Sequence, residues 1–232
     1  MSVVAAVSQG GGVGKSTLAI HLATEATRKP HNLRAAIIEL DKQGTTSLFW
    51  SQRRAEKHRP DDLIGKIDEN PVQPEVHRVD PSTLLPTLEE MRRAGLEFVV
   101  LDLPGAHNPA VMMAMSMADY VLIPSRPHDV DLHKSLETAA AAKRLNKPMA
   151  YVLTFVPPTG SDAERVRDDL EQEKFAVAPG GLGDRRKEYA DAILDGITVQ
   201  EKDPHSKSAK EVRKIFNWLL EELENAHGRQ AA

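Results

Sequence analysis

The chain has 232 residues, of which 41% are hydrophobic, 4% aromatic and 28% charged, with a formal net charge of −4. These proportions suit one aliphatic core in a single α/β domain and exclude a disordered chain. Cysteine is absent, which excludes disulfides, thiolate metal sites and iron–sulfur clusters, and no basic leader or run of 18 apolar residues marks a secretion signal or a membrane span, so a cytoplasmic location is expected.

Short aliphatic runs alternate with amphipathic stretches along the chain, the pattern of parallel strands joined by crossover helices. Strands are predicted at Val3–Ser8, Arg34–Leu40, Phe98–Asp102, Tyr120–Pro124 and Met149–Phe155, with a weaker one at Val76–Val79. Helices are predicted at about Lys15–Arg28, Thr45–Lys57, Ser82–Arg93, Pro109–Met117, Val130–Leu145 and Ser161–Lys174, and a long last one at Ser206–Ala226. Arg59–Pro74 has no period and reads as a surface excursion; Pro157–Gly160 and Ala178–Gly183 read as turns, and His227–Ala232 as a flexible tail. One α/β domain over residues 1–226 follows, with a mostly parallel twisted sheet flanked by helices.

The first strand runs into Gln9-Gly10-Gly11-Gly12-Val13-Gly14-Lys15-Ser16-Thr17 and then directly into a helix. Glycines let backbone N–H groups converge on an anion, and the helix adds its positive N-terminus. Lys15 is placed to reach β- and γ-phosphates, and the Ser16 hydroxyl to ligate Mg²⁺. The expected phosphate contacts are Gly11, Gly12, Val13, Gly14, Lys15, Ser16 and Thr17. A dinucleotide fingerprint fails here, because the register that starts at Gly10 puts Lys15 at its third glycine.

Two strands then end in carboxylates. In Ile37-Ile38-Glu39-Leu40-Asp41, Asp41 stands at the carboxyl end of a predicted parallel strand, where it can orient a water or hold a metal-bound one, and Glu39 shares its face. Phe98-Val99-Val100-Leu101-Asp102 is an apolar strand closing on an aspartate, suited to holding Mg²⁺ through water.

Taken together, these segments resemble the ParA/MinD family of deviant Walker A ATPases. The loop is similar to that family's Gln-Lys-Gly-Gly-Val-Gly-Lys-Ser/Thr-Thr, except that Gly10 stands where the signature lysine belongs. Glu39 to Gly44 resembles Asp-x-Asp-Pro-Gln-Gly, with Glu39 and Lys42 as departures, and Asp102 to Gly105 resembles Asp-x-Pro-Gly. Ile123 to Leu132 is similar to Pro-x-x-Pro-x-x-x-Asp-Leu, a stretch near the family's dimer interface, and Gly196 to Glu201 to Gly-x-x-Val-x-Glu.

The resemblance implies a slow, partner-stimulated P-loop ATPase using ATP and Mg²⁺. Lys15 and Asp41 would be catalytic, and Ser16, Asp102 and Asp41 would serve the metal, the aspartates through water. It also implies an ATP-dependent homodimer that holds non-specific DNA on the nucleoid, with no membrane partner. A cargo-bound ParB-like or McdB-like protein would activate hydrolysis to partition a plasmid or position a carboxysome. The missing lysine matters because cations of that kind are worth roughly 10³–10⁵ in rate. A carboxysome-positioning subset lacks it too and uses another basic residue, so Lys134, Arg126 and Lys143 are candidate replacements. Thr154–Pro157 and Asp203–Lys207 are candidate base-flanking loops on the same ground.

Arg185, Arg186 and Lys187 form one late basic cluster, and Lys207, Lys210 and Lys214 fall on one face of the last helix beside Lys202 and Arg213. These are the candidate DNA contacts; a solvated helix face is the plain alternative. Trp50, Phe49, Phe216 and Trp218 read as core, and the scattered histidines suggest no metal site. Two other functions stay open at this point. One is a small-molecule ligase of the dethiobiotin-synthetase type; the other is a nucleotide-locked protein with little turnover because of Gly10.

Overall fold

The computed structural model describes residues 1–41, 46–57, 73–104 and 109–230, with side chains described to residue 228. Strand β1 (Ser2–Ala6) leads through the glycine loop into α1 (Lys15–Thr27). There follow β2 (Ala35–Glu39), α2 (Thr46–Lys57), β3 (Glu75–Arg78), a short 3-10 turn at Pro81–Thr83 and α3 (Leu84–Arg93). Then come β4 (Phe98–Asp102), α4 (Pro109–Met117), β5 (Tyr120–Ser125), α5 (Asp129–Arg144) and β6 (Met149–Val156). The last part holds α6 (Asp162–Gln172), β7 (Ala176–Val177), β8 (Leu182–Gly183), α7 (Arg186–Leu194), α8 (Val199–Lys202) and α9 (Lys207–Gln230).

The strands pair in parallel in the order β3-β2-β4-β1-β5-β6-β7, and β8 extends β6 beyond a register irregularity at Thr154 and Val156. β1 lies at the centre of the sheet, so the loop that follows it opens at the carboxyl edge between neighbours on both sides. Alternate residues of β1 feed opposite cores, as the period of two requires. Val4 and Ala6 join Leu18, Ile20, Leu22, Trp50, Phe216 and Leu219 on one face, while Val3, Ala5 and Val7 join Leu84, Leu88, Val111, Ala139 and Val166 on the other. The result is a sheet between two helical layers, with α1, α2, α7 and α9 on one side and α3 to α6 on the other.

Burial on α9 recurs at Ala209, Val212, Phe216, Leu219, Leu223 and Ala226, a three- and four-residue spacing that commits one stripe to the core. The helix runs on to Gln230, four residues past its expected end at Ala226, so most of the expected tail is helical. The turn expected at Ala178–Gly183 ends in the strand β8, and β7, α7 and α8 were not anticipated. Of the segments read as loops, most of Arg59–Pro74 lies outside the described residues, as do Lys42–Gly44 and Gly105 of the two carboxylate motifs.

Three of the expectations about aromatics hold. Trp50 and Phe216 are fully buried and Trp218 packs against the same core, but Phe49 is 39% exposed. Phe49 faces away from the stripe that Trp50 shares with Ser47 and Arg54.

Candidate nucleotide-binding site

The glycine loop takes up backbone conformations that explain its composition. Gly12 (φ +68°) and Gly14 (φ +90°) lie in the left-handed region, where other residues are strained. Gly14 forms the N-cap of α1 in that conformation and makes no side-chain cap, so the first N–H groups of α1 have no partner within the helix. A Cβ at Gly11 would meet nothing within 4 Å, so the space beside the loop is open at that residue. Residues 11–16 therefore present a curved run of N–H groups at the positive end of a helix.

Lys15 reaches back over this loop, with Nζ donating to the Gly10 carbonyl at 3.4 Å. Burial holds its ammonium below the ordinary lysine range, against the opposing pull of Asp102, then Asp41 and Glu39. Asp102 ends β4 and is almost fully buried; it accepts a hydrogen bond from the Ser47 hydroxyl at 2.9 Å and another from Ser16. Burial raises its carboxyl, and the Ser16 and Ser47 bonds and Lys15 work against that rise.

Glu39 lies directly opposite Asp102 in the β2–β4 ladder. Its Oε1 accepts from the Asp41 amide at 3.0 Å, while its Oε2 is buried with no hydrogen-bond partner. Burial and then the adjacent Asp102 push Glu39 up to about 7. Three carboxylates thus share one corner with the Lys15 ammonium, and the Arg78 guanidinium also acts on Glu39 from beside it.

That corner fits a magnesium-bound triphosphate. The donors are all oxygens, one buried carboxylate oxygen lacks a partner, and the phosphate cradle stands beside them. Among the described residues no three acidic or histidine side chains form a self-sufficient metal site. Mg²⁺ asks for less than that, since it keeps several waters and completes its shell with substrate phosphates.

The structure brings Lys15, Ser16, Asp41 and Asp102 together as the sequence suggested, and adds Ser47. That serine is fully buried at the start of α2; only its place shortly after the second motif could have singled it out. α2 itself is fastened at its far end, where Arg54 forms a bidentate pair with Glu201 at 2.8 and 3.0 Å and Glu201 completes a capping box with Thr198.

The basic candidates separate into distinct environments. Arg126 donates to the Gly12 carbonyl at 2.6 Å, Lys143 sits over the Phe175 ring at 4.1 Å, and Lys134 is exposed on α5. Of the three proposed replacements for the missing lysine, Arg126 alone contacts the loop. Arg185 is engaged by Glu211, Glu188 and Ser208, and Arg213 by Glu25. Arg186 bonds Asp184 and lies over Phe155. Lys187, Lys207, Lys210 and Lys214 are exposed and form no ion pair with another described residue. Of the base-flanking candidates, Thr154 donates to the Val13 carbonyl at 2.9 Å and Phe155 packs by Gly14, whereas Asp203–Lys207 lies in and beyond the α8–α9 turn.

The chain is similar to several known proteins. Residues 2–171 match the family model described as ATPase MipZ. The chain is 30% identical to the chromosome-partitioning ATPase Soj of Thermus thermophilus over 96% of its length and 97% of that protein's. It is 27% identical to the maintenance of carboxysome distribution protein A of Gloeobacter kilaueensis, over 96% and 94%. The solved structure of apo McdA from Cyanothece superposes with a TM-score of 0.72 over 95% of this chain and 99% of that one, at 14% identity, which speaks for the fold.

Proposed function

The chain belongs to the MipZ family of ParA/MinD-type ATPases, and from that premise we propose that it is a nucleotide-driven switch that positions or partitions a large cargo. The observation that supports this most is the corner where Lys15, half-buried and reaching back over the glycine loop, faces Asp102, Asp41 and Glu39. Phosphoryl transfer depends on positioning and charge stabilisation more than on covalent chemistry. Each residue has a part that fits. The amides of residues 11–16 and the Lys15 ammonium bind and orient the triphosphate. Ser16 and Asp102 would hold Mg²⁺, Asp102 through water, and the ion would supply charge neutralisation at the phosphates. Asp41, half-buried at the end of β2, orients the attacking water by accepting its hydrogen bond.

In this reading two copies close around ATP, and the closed pair carries a doubled patch of Lys187, Lys207, Lys210 and Lys214 that holds DNA through its phosphates. A cargo-bound activating protein stimulates hydrolysis and opens the pair, which would place the ATP-bound form on the nucleoid. Relatives named for chromosome partitioning and carboxysome distribution make plasmids, chromosomes or protein assemblies the cargo classes to test. Among the described residues no helix is long and apolar enough to cross a membrane.

The test is retention of arbitrary duplex DNA by the purified chain, with ATP or ADP, at two salt concentrations, alongside its sedimentation. Retention that needs ATP, coincides with dimer formation and weakens steeply with salt is the expected result. DNA retention indifferent to nucleotide would end the switch reading. A second reading, slow turnover with long-lived ATP, is favoured by one observation: Gly10 offers the loop no side-chain cation.

A further inference from the structure

Helix α2 turns a polar stripe to the core. Its buried residues are Ser47, Trp50 and Arg54, spaced three and four apart on one face, and each carries a hydrogen-bonding group. By contrast, α9 buries Val212, Phe216, Leu219 and Leu223. All three residues of α2 reach partners far along the chain. The Ser47 hydroxyl donates to Asp102 Oδ2 at 2.9 Å, and the Trp50 indole N–H donates to the Ile197 carbonyl at 3.0 Å. Arg54 donates to the Gln73 carbonyl at 3.1 Å and the Gly196 carbonyl at 3.3 Å, besides its two bonds to Glu201. Hydrogen bonds weaken steeply when misaligned, so contacts of this kind fix the roll and the axial position of a helix more closely than an aliphatic stripe does.

The segment that receives these bonds is itself pinned. Gly196 (φ +65°) packs so closely on α2 that a Cβ there would stand 2.4 Å from the Arg54 amide nitrogen. Glu201 also accepts from the Thr198 amide at 2.8 Å. The two residues between them are tied to α1: the Val199 amide donates to His21 Nε2 at 3.3 Å, and the Gln200 side chain donates to the His21 carbonyl at 2.7 Å. Residues 196–201 are thus a common seat for α1 and α2. From those two helices come the two hydroxyls that bond Asp102, Ser16 at the start of α1 and Ser47 at the start of α2. A carboxylate accepts at about four lone-pair positions, so the two hydroxyls fix its plane and leave room for a metal-bound water.

Resting on the assignment of Asp102 to Mg²⁺ given above, we infer that Ser47 is a positioning residue for the magnesium site and that the Arg54–Glu201 pair acts through it, by setting where α2 holds the Ser47 hydroxyl. Arg54 stands seven residues along α2 from Ser47, about 10 Å at the helical rise. Groups that orient a metal's ligands from outside the coordination shell are typically worth about ten- to a hundredfold in metal affinity.

Calorimetry with ADP on the full chain, once with Mg²⁺ and once with EDTA, separates the metal's contribution from that of the glycine loop. The ratio of the two affinities is the quantity read. In Ser47→Ala the ratio should fall about tenfold, while the affinity in EDTA stays within about twofold. Glu201→Gln should lower the ratio several-fold with the same constancy in EDTA. That variant leaves the Arg54 charge buried without its partner. Where circular dichroism shows it unfolded, Trp50→Phe, which keeps a ring and removes the bond to Ile197, takes its place with the same expected loss. A ratio unchanged in Ser47→Ala overturns the inference, as does an equal loss with Mg²⁺ and with EDTA, which would make Ser47 a support of the phosphate cradle. A ratio lost in Ser47→Ala but kept in the folded remote variant overturns the part given to Arg54 and Glu201. If the folded natural chain binds ADP equally well with Mg²⁺ and with EDTA, the magnesium assignment of Asp102 fails first and the role of Ser47 falls with it.

Discussion

The two flanks of the glycine loop differ in how they are built. On the β2–β4 flank, two carboxylates are buried on regular strands and a half-buried lysine at the start of α1 stands beside them. Lys15, Glu39 and Asp102 sit in the ladder or directly beside it, and burial disturbs all three. On the β6–α7 flank the walls are apolar and the cations lie near the rim, around a residue with irregular backbone. Chemistry needs fixed charges, and a strand end in a central sheet fixes them. Holding a flat apolar group needs shape, which short segments and a loop can supply.

Removing the cation where the two flanks meet should disturb this contrast most. Lys15→Ala should weaken ATP binding on the order of a hundredfold, since a charge-assisted contact in a buried site contributes about 3 kcal/mol. Filter binding with labelled ATP measures it, and a change under threefold would mean that the loop alone carries the affinity. Asp41→Ala should separate binding from chemistry: ATP affinity stays within a few-fold while turnover falls about a hundredfold or more. Equal losses in both would make Asp41 a binding residue.

A third prediction concerns the helix that joins the two flanks. His21 on α1 is wholly buried; its Nδ1 lies 2.7 Å from the Thr17 carbonyl, and its Nε2 accepts from the Val199 amide at 3.3 Å. This pairing requires the neutral ring with its proton on Nδ1. Burial lowers its pKa from 6.5 to about 4, with the Thr17 carbonyl and Glu201 opposing. A depressed histidine contributes stability that is present above the unfolded value and lost as the pH falls from 6.5 toward 4. Roughly 2–3 kcal/mol should disappear across that window. Urea unfolding at pH 7.5 and at 4.5 reads it, and in His21→Gln this part of the acid loss should be missing.

Two smaller effects are expected at the surface and in the loop. Replacing Lys207, Lys210 and Lys214 with Ala should reduce the slope of log affinity for DNA against log salt by about one for each phosphate that is no longer neutralised. ATP turnover without partner should hold. Gly10→Lys should raise stimulated turnover, but by less than the roughly 10³–10⁵ that such a cation is worth, because the loop must give way to seat it. A Cβ at that position meets Val13 Cγ1 at 2.6 Å, so Val13 must shift to admit it. Turnover unchanged in this variant would mean that a cation already present, with Arg126 nearest the loop, serves the same purpose.

The carboxylate flank was legible because its signals are local. A glycine run between a strand and a helix, and two apolar runs closing on aspartates, each carry their meaning within ten residues. The central strands, with their β-branched and aliphatic runs, were placed to within two residues for the same reason. What stayed hidden depends on distant partners. Ser47 acquires its role only when α2 docks over Asp102, 55 residues away. β7 and β8 have two residues each, too few to display a period, and α7 buries only Tyr189 and Ala192. Arg185 and Arg186 adjoin in sequence and look alike there, yet one faces Glu211 on α9 and the other Phe155. Composition could not separate them; the helix start between them does.

Both flanks matter only if the amides of residues 11–16 and the Lys15 ammonium enclose a triphosphate beside the Asp102 corner. Isothermal calorimetry of Mg²⁺-ATP against the folded natural chain and against Lys15→Ala decides this. Saturable binding of one nucleotide per chain is expected in the first and little or none in the second. Equal heats from both proteins, or none from a natural chain whose circular dichroism shows it folded, would contradict it.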